Sequence, residues 1–376
     1  MTPPRPHPDR HTHPPVFRAE GPNLMRVGRR RLVHFTGCDY LRLSQHPAVI
    51  AAFQEAGETE GISPAAARTT TGNHPLYGRL ESAIARFAGV DSALLVGAGY
   101  LANLAVAQAL MGTVDVVFID EEAHPSLRDA AGLLALPTTA FRHRDPDDLC
   151  RVMDRFPRSR RPLVLTDGVF PLSGDNAPVR EYLQRLPKRG LLLVDDAHGL
   201  GVMGRRGRGT PDACGVNGDL RLLRTATLSK ALGTFGGVIL GSQALTERVR
   251  SHSRIFRAST PFPVPCAAAT LQSLRLMRGE PDRLARLRGN VRQVKTAFAS
   301  LGFRQPENEA PVLSLCLADE PLARRLEAGL AKAGLFARAI AYPGDTVGWR
   351  FRFALSSEHT PEQIGRLENG VRRIVG

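Results

Sequence analysis

From about residue 93 to residue 241 the chain alternates short apolar runs with segments whose apolar positions recur at helical spacing. The runs read as strands are Ala93–Val96, Val116–Ile119, Thr138–Arg142, Leu163–Thr166, Leu191–Asp195, Leu222–Thr227 and Gly237–Gly241. Interleaved with helices, they predict one large α/β domain on a mostly parallel seven-stranded sheet covered on both faces. Several runs end in polar residues, as expected where strand C-termini line a ligand crevice.

On the N-terminal side, Leu32 to Tyr40 reads as a short strand, and Pro47 opens a helix through Phe53. Thr69–Pro75 is a turn-rich loop, after which Leu80, Ile84 and Phe87 keep helical spacing up to Gly89. Beyond Arg254, helices are predicted over Ala267–Met277 and Leu284–Leu301, strands over Val312–Leu317 and Arg350–Leu355, and a closing helix over Glu362–Val375. Tyr342–Gly348 reads as a loop. The expected organisation is a disordered lead-in over 1–30, an N-terminal segment over 31–75, the large domain over 76–260 and a smaller C-terminal α+β domain over 261–376.

The chain's 376 residues suffice for a sizeable core, and 43% apolar with 23% charged residues is ordinary for a soluble protein. No apolar run approaches the length of a membrane span, and the N-terminus lacks the apolar core of a secretory signal. Five scattered cysteines without a Cys-x-x-Cys pair argue against zinc and a disulfide framework, and fit a reducing cytoplasm. His7, His11 and His13 are not read as a dedicated metal site. A net charge of +14 admits nucleic acid, an acidic partner or a phosphorylated substrate. Arginine standing for lysine across the surface through coding bias explains it equally. No basic block interleaved with aromatics is present, so neither nucleic acid nor membrane is an expected partner.

Two stretches carry chemistry. Leu192-Leu193-Val194-Asp195-Asp196-Ala197-His198-Gly199 is an apolar strand ending in an acidic pair and a histidine. Thr227-Leu228-Ser229-Lys230-Ala231-Leu232-Gly233 sets a lysine among hydroxyl residues and glycine. An imine-forming lysine and a carboxylate at a strand end are what a pyridoxal phosphate (PLP) site needs: one holds the cofactor as a Schiff base, the other keeps its ring nitrogen protonated. Only four lysines occur (Lys188, Lys230, Lys295, Lys332), and Lys230 alone has such a setting. Gly97-Ala98-Gly99-Tyr100 lies between a strand and a helix, where backbone N–H groups can bind phosphate, although many such turns contain glycine. His124, past another strand end, reads either as a helix cap or as a ring that stacks on a flat cofactor. Asp167 closes a strand and reads equally as a turn residue, while Thr227 and Ser229 either meet a phosphate or cap their turn.

Taken in order, these blocks resemble the α-oxoamine synthase family: Thr71 to Glu81, Val96 to Asn103, Thr166 to Pro178, Val194 to Val202, Gly207 to Gly209 and Thr227 to Gly237. That family includes 8-amino-7-oxononanoate synthase, glycine C-acetyltransferase, 5-aminolevulinate synthase and serine palmitoyltransferase. The resemblance runs from about Phe35 to the C-terminus. It implies a fold-type I PLP-dependent transferase acting as a homodimer with active sites at the subunit interface. It also implies Lys230 as the Schiff-base lysine, Asp195 as partner of the pyridinium nitrogen, His198 at the phenolic oxygen and His124 stacked on the ring. Gly99, Tyr100 and Thr227 then match the phosphate contacts, and Arg352 the grip on the substrate carboxylate, a task that suits a bidentate guanidinium. A strand-edge surface arginine is the other reading of Arg352.

The chain departs from the family pattern at several places. Cys38 replaces an asparagine that contacts the amino-acid carboxylate, and Pro171 a serine that approaches the cofactor. Ser63–Arg68 stands for a glycine-rich run, Tyr77 for a histidine, and the loop Tyr342-Pro343-Gly344-Asp345 is shortened. All are expected where substrates sit. The resulting expectation is decarboxylative condensation of a small α-amino acid with an acyl thioester, on CoA or an acyl-carrier protein, in specialised biosynthesis. An aminotransferase or other Cα chemistry is the alternative within enzymes, and a catalytically silent scaffold subunit the alternative outside them.

Overall fold

The computed structural model describes residues 16–317, 319–340 and 348–376. His7, His11, His13 and the loop Tyr342–Asp345 lie outside the described residues. The strands in chain order are β1 (Phe17–Ala19), β2 (Leu24–Val27), β3 (Arg30–His34), β4 (Ser92–Val96), β5 (Val116–Asp120), β6 (Thr138–Phe141) and β7 (Pro162–Asp167). They continue as β8 (Leu191–Asp195), β9 (Leu222–Thr227), β10 (Gly237–Gly241), β11 (Val312–Leu317), β12 (Leu335–Phe336), β13 (Ala339–Ile340) and β14 (Trp349–Ala354). Four helices matter below: α1 (Pro47–Thr59), α2 (Pro75–Ala88), α3 (Gly99–Leu110) and α4 (Pro125–Leu134).

The chain forms two compact units, one of Leu43–Pro171 with Asp175–Pro281, the other of the residues up to Arg42, Leu172–Gly174 and Asp282–Gly376. The larger unit holds the seven-stranded sheet, in order β4-β10-β9-β8-β7-β5-β6. Every pairing is parallel except those of β10, which runs antiparallel to both β4 and β9. Alternation along each strand sends neighbouring side chains to opposite faces. Leu94, Ile119, Leu165, Leu193, Leu223 and Ile239 pack with α3, α4 and helix Gln243–His252. On the opposite face, Leu95, Val238 and Leu240 pack with α2 and helix Val264–Gly279, and Phe118, Val164 and Val194 with helices Pro146–Met153 and Val179–Arg185. Burying one such aliphatic side chain contributes about 1.5–3 kcal/mol, so both helix layers are held chiefly by these faces.

Three helices of this unit begin at a His-Pro pair, and each uses it in the same way. Proline takes the first helical position, where no N–H is needed, and the preceding imidazole accepts the next free N–H. His46 Nδ1 accepts from Ala48 N (3.2 Å), His74 Nδ1 from Leu76 N (3.3 Å) and His124 Nδ1 from Ser126 N (3.2 Å).

In the smaller unit, β1-β2-β3-β12 form one sheet and β11-β14-β13 another. On β14, Phe351 and Phe353 are buried, Phe353 edge-on to Phe298 at 5.5 Å, and Arg350 and Arg352 take the alternate positions. This grouping runs at other positions than the expected division at 30/31, 75/76 and 260/261. Residues 17–34, placed partly in a disordered lead-in, form strands, and β12 holds β3 in parallel register (Leu335↔Val33). Helix Val264–Gly279 belongs with the large sheet, because Ala267 and Leu274 pack against Leu80 and Ile84 of α2. The strand expected to reach Tyr40 ends at His34; Gly37, at φ 76°, then takes a left-handed turn open to glycine.

Candidate active site

The parallel register aligns Asp167 of β7, Asp195 of β8 and Thr225 of β9 side by side at the C-terminal ends of their strands. Apolar side chains fill both faces below them, so the sheet delivers its polar groups to one edge. Just past β9, Lys230 Nζ lies 2.7 Å from His198 Nε2. At that separation one nitrogen offers a proton and the other a lone pair, so the two share a proton.

Asp195 is buried, with Oδ1 accepting from Ala197 N (3.0 Å) and Oδ2 from Asn103 Nδ2 (2.6 Å). Asn103 comes from α3, where it is wholly buried among alanines and leucines; Thr225 donates to its Oδ1 (2.6 Å) and its Nδ2 also donates to Ser126 (2.9 Å). Ser126 in turn meets His124 Nδ1 at 2.7 Å. Burial lowers the pKa of His124, with the Lys230 charge in the same direction and Asp195 opposing, so the imidazole is held neutral. Its backbone N–H donates to Asp167 Oδ2 (2.8 Å). Burial, then the neighbouring Asp195 charge, push the Asp167 carboxyl well above the ordinary carboxylate range.

The β4–α3 turn supplies the other end of the site. Ala98 gives α3 no side-chain cap, so the positive end of a 12-residue helix dipole faces the site, as suits an anion. A Cβ on Gly99 would stand 2.8 Å from Thr227 Cβ and 3.0 Å from its hydroxyl, so the glycine is what lets the helix start close against Thr227. Tyr100 donates to Asp129 and sets its ring edge-on to His124, centroids 6.1 Å apart. An uncapped helix start, a glycine cradle beside a hydroxyl, a buried carboxylate and a lysine fit the phosphate, pyridine nitrogen and aldehyde of PLP.

Asp196, next to Asp195, has a different task. It is fully buried, paired with Arg224 Nη2 at 2.7 Å, and accepts from Thr210 N at 3.1 Å. Gly209, at φ 111°, closes against Asp196 and Arg224 where any Cβ would collide. The pair therefore ties the loop after His198 back onto β9.

In the smaller unit Arg352 Nη2 donates to Cys38 Sγ at 3.5 Å. Burial works against the Arg352 charge, but Cys38 and the buried Tyr40 outweigh it and raise its pKa. Two departures from the family pattern are thus placed. Cys38 stands against Arg352, whereas Tyr77 is not exposed to any substrate: it is wholly buried and donates to the Phe262 carbonyl at 2.7 Å.

Asn103, Ser126, Thr225 and the Asp196–Arg224 pair went unread in the sequence. The one signal was polar: a lone Asn in Gly-Tyr-Leu-Ala-Asn-Leu-Ala-Val-Ala, and an Arg inside a strand. Among the described residues no group of His, Cys, Asp and Glu could hold a metal ion, and no helix is long and apolar enough to cross a membrane.

Residues 31–371 match the family model of aminotransferase class I and II. The 8-amino-7-oxononanoate synthase of Methylobacterium radiotolerans is 37% identical over 365 residues, covering 96% of this chain and 93% of its own. That of Methylococcus capsulatus is 39% identical over 338 residues, covering 89% and 87%. Among solved structures, serine palmitoyltransferase from S. paucimobilis with a bound PLP–myriocin aldimine superposes with TM-score 0.88 at 27% identity, over 96% of this chain and 93% of that one. The chain belongs to the aminotransferase class I and II family, as a fold-type I, PLP-dependent α-oxoamine synthase. It is an acyltransferase that condenses an amino acid with an acyl thioester and releases carbon dioxide.

Proposed function

We propose that the amino acid is small, that its acyl donor is an acyl-CoA or an acyl-carrier protein, and that the product serves specialised biosynthesis. The observation that carries the site assignment is the Lys230–His198 contact at 2.7 Å, next to a buried Asp195 and an uncapped helix start. PLP, when bound, supplies an electron sink for a carbanion at the amino acid's α-carbon. Lys230 would hold the cofactor through its amine and would move the proton at the substrate's Cα. His198, which lies 2.7 Å from Lys230, would hydrogen-bond the cofactor's phenolic oxygen. Asp195 keeps the ring nitrogen protonated, with two donors already fixing its carboxylate. His124 would stack on the ring as a neutral imidazole. Gly99, Tyr100 and Thr227 hold the phosphate, and Arg352, with Cys38 beside it, grips the substrate carboxylate.

The balance is one amino acid and one thioester giving one α-amino ketone, one carbon dioxide and one free thiol. The relatives' name supports this product class: in 8-amino-7-oxononanoate the amine and the ketone occupy adjacent carbons. A homodimer in the cytoplasm is the setting we assign, with exposed Ile50, Phe53, Ile62 and Phe235 as the side chains a second copy covers. The test incubates purified protein with PLP, single small amino acids and an acyl-CoA. Carbon dioxide and free thiol released one to one, with an α-amino ketone by mass spectrometry, is the expected result. Amino-group transfer to a keto acid without carbon dioxide release contradicts it.

A further inference from the structure

We propose that Asn103 is a positioning residue of the cofactor site, fixing the carboxylate of Asp195 and the tautomer of His124 through one hydrogen-bonded chain. The proposal rests on the roles of Asp195 and His124 given above.

The direction of every bond in the chain follows from chemistry. An ionised carboxylate only accepts, so the Asn103 atom 2.6 Å from Asp195 Oδ2 is its NH2 group, and the Thr225 hydroxyl at 2.6 Å therefore donates to the amide oxygen. The second proton of the NH2 group goes to Ser126 Oγ at 2.9 Å. Ser126 Oγ could accept again, but His124 Nδ1 is itself an acceptor, so the Ser126 proton goes to Nδ1 at 2.7 Å. The same Nδ1 also accepts from Ser126 N at 3.2 Å. Nδ1 therefore carries no proton, and Nε2–H is the ring's one donor.

All members are within one unit, on β8, β9, α3 and the start of α4, and Asn103, Ser126 and Thr225 are each wholly buried. The amide oxygen and both amide protons are all used, so the side chain has one orientation. Desolvation makes such a network costly to leave half-satisfied, which gives it rigidity beyond that of its single bonds. The capping histidines His46 and His74 share the His-Pro start but have no such chain behind them: His46 and His74 set Nε2 near Glu280 (4.0 Å) and Glu60 (3.2 Å). His124 is the one whose ring is locked from the sheet side.

The test uses the holoenzyme carrying 15N-labelled histidine, with the His124 signals assigned through His124→Asn. Wild-type His124 is expected to show a protonated Nε2 and a bare Nδ1. Ser126→Ala weakens the histidine limb: it removes the hydroxyl between Asn103 and His124 but keeps the Asn103 bond to Asp195 and the backbone bond to Nδ1. The tautomer shifts toward a mixture, while PLP affinity falls less than in the Asn103 variants. Asn103→Ala breaks both limbs, mixing the tautomer and weakening PLP binding about tenfold or more, as loss of a hydrogen bond to a charged group implies. Asn103→Asp, equal in shape, keeps the packing and sets a second carboxylate against Asp195; it is expected to weaken PLP at least as much, so poor folding of the alanine variant leaves the proposal exposed. Unchanged tautomer and PLP affinity in Asn103→Asp overturn it, and so does a His124 with its proton on Nδ1 in the wild type. A wild-type protein that binds no PLP instead overturns the cofactor roles, and is recognised by the wild-type binding curve alone.

Discussion

Arg224 and Asp196 form an ion pair 2.7 Å long in which both side chains are wholly buried, one inside a central strand and the other at the end of its neighbour. Burial raises the Asp196 pKa, and Arg224 with the Thr210 N–H opposes it. Removing one partner leaves the other charge unpaired in the interior, at a cost of about 3–5 kcal/mol. Arg224→Met is therefore expected to lower stability by that order in denaturant unfolding. The double variant with Asp196→Asn should recover part of it. A loss below about 1 kcal/mol, the range of surface pairs, contradicts a buried tie.

Gly99 has no side chain because Thr227 is where one would go, with Cβ–Cβ at 2.8 Å. Gly99→Ala must push the start of α3 away from Thr227 and spoil the phosphate cradle while leaving the sheet intact. The expectation is a PLP dissociation constant raised about tenfold or more, with an unchanged far-UV circular dichroism spectrum. Equal PLP affinity in the variant places the phosphate elsewhere.

Arg352 and Cys38 are in contact at 3.5 Å, and we propose that they divide the recognition of the amino-acid carboxylate unequally. Arg352→Ala is expected to raise the KM for the amino acid roughly tenfold or more, since a charge-assisted hydrogen bond is lost. Cys38→Asn supplies a better donor and should lower that KM. Unchanged amino-acid affinity in Cys38→Asn counts against a recognition role for this position.

Two buried histidines of the smaller unit predict acid sensitivity. Burial, the largest effect at both, lowers His359 to about 3 and His34 to about 4. His359 works as the neutral ring: Nδ1 accepts from Ser356 N at 2.9 Å and Nε2 donates to the His34 carbonyl at 3.0 Å. Both folded values lie below the unfolded value of about 6.5, so the unfolded chain takes up protons first as pH falls. Stability is full above about pH 6.5 and declines from there down to the folded pKa values; His359 alone carries on the order of 5 kcal/mol of it. Melting temperatures from pH 8 to pH 4 test this, with His359→Gln flattening the decline. A wild-type curve that is level from pH 7 to pH 4.5 contradicts it.

The large sheet was legible because its strands are runs of Val, Leu and Ile broken by helical spacing, and their predicted bounds differ from the observed ones by a residue or so. Asp195 and His198 were legible because ionisable groups that follow so apolar a strand need partners, and the structure sets His198 2.7 Å from Lys230. The antiparallel direction of β10 was not, since an apolar run has no arrow. Nor were β1 and β2, whose Phe17-Arg18-Ala19 and Leu24-Met25-Arg26-Val27 alternate too briefly to separate from an arginine-rich lead-in. Asn103 stayed hidden for another reason: its three partners lie 23, 92 and 122 residues away in sequence, and only the folded sheet gathers them. Tyr77 was misplaced because a resemblance fixes a position in the chain, not the direction its side chain faces.

Covalent attachment of PLP to Lys230 is the step on which every role above depends. The most direct measurement is the visible absorbance of the purified protein with PLP, followed by borohydride reduction and mass spectrometry of the Lys230 peptide. A band in the blue region is expected and, after reduction, a pyridoxyl-phosphate adduct on Lys230, both absent in Lys230→Ala. A protein that stays colourless with added PLP, or an adduct on Lys188, Lys295 or Lys332 instead, contradicts it.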